Sequence, residues 1–196
     1  MTSAFGWSLG LWGAVGGAAH FIVFRHHPQR TKLVRTTVSF AHCLAWWWLP
    51  APPLLGSMAY YAGDLLHMLL CGQHWPTMVA HHGMSLLLLN HALGLPGGDN
   101  VRRTVEHIFW LAEMSNLPGT LVYGSMKLWG RSAPVTQKLL GVQLLVYTWF
   151  RSYRISKVLI TSPWLWYGVP RYLLPCWLIW PMGLWWSGKL CADVNR

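Results

Sequence analysis

Long apolar stretches separated by short polar or proline-rich breaks form the pattern of this chain. Most of these stretches approach the ~20 apolar residues that a helix needs to cross a lipid bilayer. We therefore predict an all-α membrane protein with about seven transmembrane helices, at residues 5–24, 33–49, 54–70, 77–95, 105–126, 135–160 and 172–190. Proline and glycine in the breaks, as at residues 50–53 and 96–98, are expected to end the helices.

The composition agrees with this prediction, because 54% of the residues are hydrophobic and only 10% are charged. The net charge of +10 comes from basic residues beside the apolar stretches, which argues against a nucleic-acid partner. Arg25, Arg30, Lys32 and Arg35 form the most basic short connector, and the positive-inside bias places it in the cytosol. We thus predict an integral membrane protein of the endoplasmic reticulum or a related endomembrane, with a lumenal N-terminus and a cytosolic C-terminus.

Three parts are expected along the chain. Residues 1–32 form the first transmembrane helix and its basic connector, residues 33–190 form a six-helix domain, and residues 191–196 form a cytosolic tail. The four cysteines have no paired spacing, so neither a disulfide framework nor a zinc site is indicated. Ten histidines raise the idea of a di-iron oxidase, but the closely spaced histidine sets that it requires are absent from the sequence.

Acidic and histidine side chains fall inside the apolar stretches, where burial is most costly. Three of the five acids, Asp64, Glu106 and Glu113, lie in predicted helices, and the adjacent His81 and His82 lie in residues 77–95. An ionisable group at such a position is a hypothesis for a functional site, because its desolvation has to be offset by partners or by use.

Helical periodicity allows these groups to converge on one interior. Pairs that share a helix face are Ser39 with His42, His81 with Ser85, and Glu113 with Asn116. Asp64 and Glu113 would then pair with Arg151 or Arg154, leaving the histidines bonded to carboxylates or free to exchange protons. Two interpretations stay open at this point: a site that acts on a ligand, and buried pairs that only hold the helices together.

As a set, these residues resemble the TLC-domain family, the membrane fold shared by ceramide synthases and a group of proteins concerned with lipid composition. The matching motifs, in family order, are Ser39-x-x-His42, Tyr61-x-x-Asp64-Leu65-Leu66, His81-His82, Glu113-Met114-Ser115-Asn116, Phe150-x-x-x-Arg154-Ile155, and Trp185 with Lys189. The resemblance covers about residues 33–190. It implies a six-helix barrel around a polar-lined cavity, with the first helix outside it.

In ceramide synthases the paired histidines are catalytic and join a fatty acyl group from acyl-CoA to a sphingoid amine. The resemblance gives that position to His81 and His82. This chain departs from the synthases at Ser85, where they have threonine, and in lacking the acidic run that follows. It therefore looks closer to the non-synthase branch, whose members are associated with membrane lipid homeostasis.

We predict from this a protein that acts on or senses lipids. If it is an enzyme, the predicted reaction is acyl transfer, with His81 and His82 as base or acyl acceptor and Asp64 orienting them. The predicted substrate-binding residues are Glu113, Arg154, Ser85, His42 and Asn116. No bound cofactor or metal is predicted, and acyl-CoA is the expected co-substrate. The partners considered are membrane lipids, a fatty acyl donor and a second copy in a homodimer. The alternative is a non-catalytic receptor or lipid regulator whose buried polar cluster is structural.

Overall fold

Helices make up nearly all of the chain that can be described. A computed structural model describes residues 2–48, 54–72, 76–94, 99–162, 180–186 and 189. Within these ranges the α-helices are α1 (Thr2–Ala18), α2 (Arg30–Trp48), α3 (Leu54–Leu70), α4 (Pro76–Gly94), α5 (Asp99–Trp129), α6 (Pro134–Tyr147) and α7 (Ser156–Thr161). Two π-helical segments, Ala19–Val23 and Thr148–Ile155, continue α1 and α6, and residues 180–186 are also helical. The all-α part of the prediction is confirmed for these ranges.

Helices α2, α3 and α4 begin and end within three residues of the predicted bounds, whereas α5 begins six residues before its predicted start. Helix α3 covers the predicted residues 54–70, and α4 begins one residue before the predicted start. The stretch predicted as one helix at residues 135–160 consists of α6, a π-helical segment and α7. The predicted seventh helix lies mostly outside the described residues, as does the tail at residues 191–196.

The length and apolar character of the helices decide whether they can span a membrane. In the part of the chain that the structure describes, no helix is both long enough and apolar enough to span a bilayer. Helix α3 has 17 residues and is therefore only about 25 Å long. Helix α4 has 19 residues, but His81, His82, Asn90 and His91 interrupt its apolar character.

The prediction of a seven-span membrane protein with a transmembrane six-helix barrel is therefore wrong. The integral membrane location, the endoplasmic reticulum assignment and the predicted orientation are wrong with it. The transmembrane TLC-domain fold and the membrane-bound acyltransferase that the resemblance implies are wrong for the same reason. The apolar pattern identified the helices. Histidine and asparagine side chains inside α4 and charged side chains inside the long α5 make these two helices too polar to span a membrane.

Helix α5 connects most of the fold. It packs against α2, α6 and the π-helical segment after α6, and it also contacts α4. Helix α3 packs against both α1 and α4, and the indole of Trp12 in α1 donates a hydrogen bond to the carbonyl oxygen of Gly56 at 3.0 Å. Large side chains from several helices, including Trp46, Leu89 and Leu111, form the buried core. This packing brings the polar faces of α2, α3, α4 and α5 together.

Candidate functional site

The histidine pair lies on the buried face of α4. His81 is 6% exposed and His82 is 3% exposed, and their ring centroids are 5.5 Å apart. His82 Nδ1 lies 3.3 Å from Asp64 Oδ2 on α3. His81 instead packs edge-on against the rings of Tyr61 and Trp186, and its Nδ1 has no hydrogen-bond partner among the described residues. The two histidines therefore differ in their neighbours: His82 lies beside an acid and His81 lies among aromatic rings, while the Nδ1 of each is buried without a hydrogen bond to a described residue.

Both imidazoles are neutral at physiological pH. Burial lowers the pKa of His81 to about 3, and the neighbouring His82 and Arg151 act in the same direction. Burial also lowers the pKa of His82 to about 4, because the attraction of Asp64 only partly offsets burial and the repulsion of Arg35. A neutral imidazole with an unpaired nitrogen can accept a hydrogen bond from a ligand that reaches it.

Asp64 is held by Arg35, which sequence reasoning did not select as its partner. Arg35 Nε donates to Asp64 Oδ1 at 2.8 Å, and Arg35 Nη2 donates to Asp64 Oδ2 at 2.9 Å. This two-point ion pair fixes the carboxylate beside His82. Arg35 lies four and seven residues before Ser39 and His42, so helical spacing could have placed it on the same face of α2.

Glu113 on α5 is the centre of a second buried cluster. The hydroxyl of Tyr61 donates to its Oε1, and the thiol of Cys43 donates to its Oε2 at 3.4 Å. Asn116 Nδ2 also donates to Oε2 at 3.4 Å, and His42 Nδ1 lies 3.5 Å from the same oxygen. Burial by itself raises the pKa of Glu113, but His42, the Tyr61 hydrogen bond and Arg151 outweigh it and lower the pKa to about 2.

The phenol and the thiol that donate to Glu113 keep their protons. Burial, with the nearby Glu113 charge acting in the same direction, raises the pKa of Tyr61 and of the Cys43 thiol well above their ordinary values. Burial likewise raises the pKa of Tyr60, whose hydroxyl is 2.7 Å from the hydroxyl of Ser39. Cys43 is therefore a hydrogen-bond donor and not a thiolate nucleophile.

His42 belongs to the cluster around Glu113 and is held there by ring stacking and hydrogen bonding. Its ring stacks on Tyr60 with a centroid distance of 3.9 Å, and its Nε2 is 3.0 Å from the hydroxyl of Ser57. The indole of Trp46 donates to the same Ser57 hydroxyl at 2.8 Å. His42 is thus held between α2 and α3, as part of the wall behind Glu113.

Arg151 and Arg154 are separated in the structure. Arg151 is buried and donates to Ser115 Oγ at 2.8 Å and to Asn116 Oδ1 at 3.1 Å. Arg154 lies near His107 instead, where its charge helps burial to lower the pKa of His107, and it lines neither of the two described cavities. Arg154 was predicted to bind substrate, and the structure does not place it with the other predicted site residues.

A polar cavity of about 600 Å³ lies between the helices that carry these groups. Of the predicted site residues, His81, His82, Glu113 and Asn116 line it. Basic side chains from α2 and from the C-terminal end of the described chain also line it, namely Lys32, Arg35 and Lys189. The volume falls within the range of about 300–1,000 Å³ that is usual for small-molecule sites.

A second, narrow pocket of about 30 Å³ shares Tyr61 and His81 with the polar cavity. Its other lining is mainly apolar, from α4, α5 and the segments after α6, and includes Leu88, Phe109 and Leu159. Ser85, predicted to bind substrate, lies in this pocket and not in the polar cavity. His81 therefore lies where a polar and an apolar chamber meet.

The site offers no evident ligand set for a metal. Within the described ranges, no group of three or more histidine, cysteine, aspartate or glutamate side chains is arranged to hold a metal ion. What the arrangement can do is bind and exchange protons. The cavity combines the neutral imidazole of His81 with a basic rim, and the clamped Asp64 carboxylate lies beside His82 at its wall.

No family model, curated protein or solved structure matches the chain. The resemblance to the TLC-domain family therefore stays a prediction that rests on its motifs. Acyl-CoA as co-substrate, the lipid and acyl-donor partners and the homodimer also stay predictions.

Proposed function

We propose that this protein binds a lipid-like ligand with one acyl chain and an anionic phosphate head group, and so acts as a lipid-sensing or lipid-carrying module. The observation that carries the proposal is the 600 Å³ cavity, which joins a basic rim to the neutral imidazole of His81. Such a cavity combines charge for a phosphate with neutral hydrogen-bonding groups for the rest of a head group.

Charge at the rim supports an anionic ligand. Arg35 is already paired with Asp64, but Lys32 and Lys189 form no ion pair with any described carboxylate. Both lysines are exposed, so their side chains are free to turn toward a phosphate at the rim. Lys189 Nζ lies 4.5 Å from the centroid of the Trp185 ring, which holds the ammonium group at the rim.

The apolar lining supports an acyl chain. Met78, Tyr60 and Trp186 line the polar cavity beside the charged groups, and the narrow apolar pocket begins at Tyr61 and His81. A chain of medium length can pack along this surface while the head group stays at the rim. Because the apolar pocket is only about 30 Å³, a long chain would have to displace its lining.

Titration calorimetry with 1-decanoyl-glycerol 3-phosphate tests the proposal. We expect saturable binding of one ligand per chain. Glycerol 3-phosphate, which lacks the acyl chain, should bind at least ~10-fold more weakly, because each buried methylene contributes about 0.8 kcal/mol. Lys32→Gln should weaken binding of the acylated probe by roughly fivefold, or about 1 kcal/mol, through loss of a charged phosphate contact.

Lys138→Gln is the matched control for Lys32→Gln. Lys138 is exposed on α6 and lines neither described cavity, so its variant should bind as tightly as the wild type. Equal weakening by both lysine variants would show general attraction between a basic protein and an anion, and would contradict a specific site. No saturable binding of the acylated probe would also refute the proposal.

A further inference from the structure

Two buried polar atoms on the α6 side of the polar cavity lack partners. Gln143 Oε1 and Tyr147 Oη form no hydrogen bond with any described residue. Both side chains line the 600 Å³ cavity, and they are four residues apart on α6, so they are neighbours on one helix face. Buried polar atoms are nearly always satisfied in folded proteins, so this pair calls for a partner.

The two atoms have complementary hydrogen-bonding roles. Burial raises the pKa of Tyr147, so its phenol keeps its proton and can donate it, while Gln143 Oε1 can only accept. The guanidinium of Arg151, with Cζ 5.4 Å from the Tyr147 ring centroid, lies over that ring and fixes its position. A ligand hydroxyl can donate to Gln143 and accept from Tyr147, whereas a carbonyl or a phosphate oxygen can only accept.

Gly119 on α5 makes room for this arrangement. A Cβ at Gly119 would lie 2.8 Å from Gln143 Nε2, so only glycine allows the amide to rest where it does. Gly119 lies inside a helix, where glycine is less favourable than alanine, and its φ is not positive. The close approach of the Gln143 amide therefore supplies the reason for a glycine here.

We infer that Gln143 and Tyr147 form a subsite that recognises a hydroxyl on the head group of the ligand. The inference rests on the proposed function, since it describes one end of the same cavity. The α4 side of the cavity presents His81 and His82, and the α6 side presents the hydroxyl subsite. A head group with a free hydroxyl next to its phosphate, as in a monoacyl glycerol phosphate, has the required chemistry.

Two probes that differ by one oxygen test this inference. The first is 1-decanoyl-glycerol 3-phosphate, and the second is its 2-deoxy analogue, the phosphate of 1-decanoyl-propane-1,3-diol. The wild type should bind the hydroxylated probe about tenfold more tightly, because the analogue leaves both buried groups unpaired. Gln143→Leu and Tyr147→Phe should each reduce this preference to less than about threefold, with the affinity for the deoxy probe unchanged.

Three further variants separate recognition from a structural role. Gln137→Leu and Tyr153→Phe make the same chemical changes at exposed positions and should keep the tenfold preference. Gly119→Ala keeps both polar groups but displaces the Gln143 amide, so it should reduce the preference as Gln143→Leu does. Tyr147→Phe should unfold at no lower denaturant concentration than the wild type, since it removes an unpaired polar group.

Each outcome is decisive. Equal wild-type affinity for the two probes would overturn the hydroxyl subsite while leaving the proposed function intact. Equal weakening of both probes by Tyr147→Phe would show a structural role and would also overturn it. Failure of the hydroxylated probe to bind would refute the proposed function itself, and the subsite with it.

Discussion

Glu113→Ala is expected to lower the free energy of unfolding by about 3–5 kcal/mol, because it breaks a buried charged cluster from one side. Glu113 is 2% exposed and accepts hydrogen bonds from Tyr61, Cys43 and Asn116. Its loss leaves these donors unpaired, removes the counter-charge of Arg151 and opens a cavity in the interior. Urea or guanidinium unfolding followed by circular dichroism measures the change.

Two variants show where this loss comes from. Glu113→Gln keeps the shape and an acceptor for Tyr61, so it should destabilise less than Glu113→Ala. Glu106→Ala, on the same helix, removes only the partly exposed pair with Arg102, whose Nε lies 3.0 Å from Glu106 Oε1, and should cost less than about 0.5 kcal/mol. The buried-cluster account would be wrong if Glu106→Ala and Glu113→Ala lowered stability equally.

Stability is expected to fall steeply as the pH drops below about 6.5, because the folded protein keeps two histidines neutral. In the unfolded chain both titrate near 6.5, whereas the pKa of His82 is about 4 and that of His81 is about 3 in the fold. Between pH 6 and 4 the unfolded state therefore binds about 1.5–2 more protons than the folded state, with the largest difference near pH 5. Stability then decreases by about 1.4 kcal/mol per pH unit for each histidine.

Carboxylates alone would produce a different profile. The lowered pKa of Glu113 contributes stability that is present above about pH 4.5 and is lost only as the pH falls toward 2. A series of denaturant midpoints from pH 8 to 4 distinguishes the two. His81→Gln should halve the slope between pH 6 and 4, while His26→Gln, at an exposed connector position, should leave it unchanged. A flat wild-type profile down to pH 5 would contradict neutral buried histidines.

The helix positions were largely readable from the sequence. Proline and glycine breaks are local signals, so residues 54–70 were placed correctly as α3. Which polar residues lie on the same face of one helix was also readable, as for His81 with Ser85 and Glu113 with Asn116, because helical periodicity sets this directly. Whether these helices cross a membrane could not be predicted from the composition. The apolar content is an average over the whole chain, and it conceals polar residues that interrupt single helices.

Partner choice was the least predictable part of the site. Arg35 was interpreted as a charge beside a membrane, whereas it forms the two-point pair with Asp64. Gln143 and Tyr147 carry no motif, and only the packing of α6 against α5 shows that their side-chain oxygens are buried and unpaired. Tertiary contacts of this kind depend on how helices are rotated about their axes, which a one-dimensional pattern does not specify.

The π-helical segment Thr148–Ile155 decides which arginine is buried. Uninterrupted α-helical spacing would put Arg151 and Arg154 on one stripe, but hydrogen bonds from residue i to i+5 add a residue to the turn. The segment therefore changes the direction in which the side chains after α6 face, while the helix axis continues. It lets α6 present Gln143 and Tyr147 to the polar chamber while Ile155 and Leu159, further along, face the apolar one. Deleting a single residue here would rotate Ile155 and Leu159 away from the apolar pocket relative to Gln143 and Tyr147 in the polar cavity.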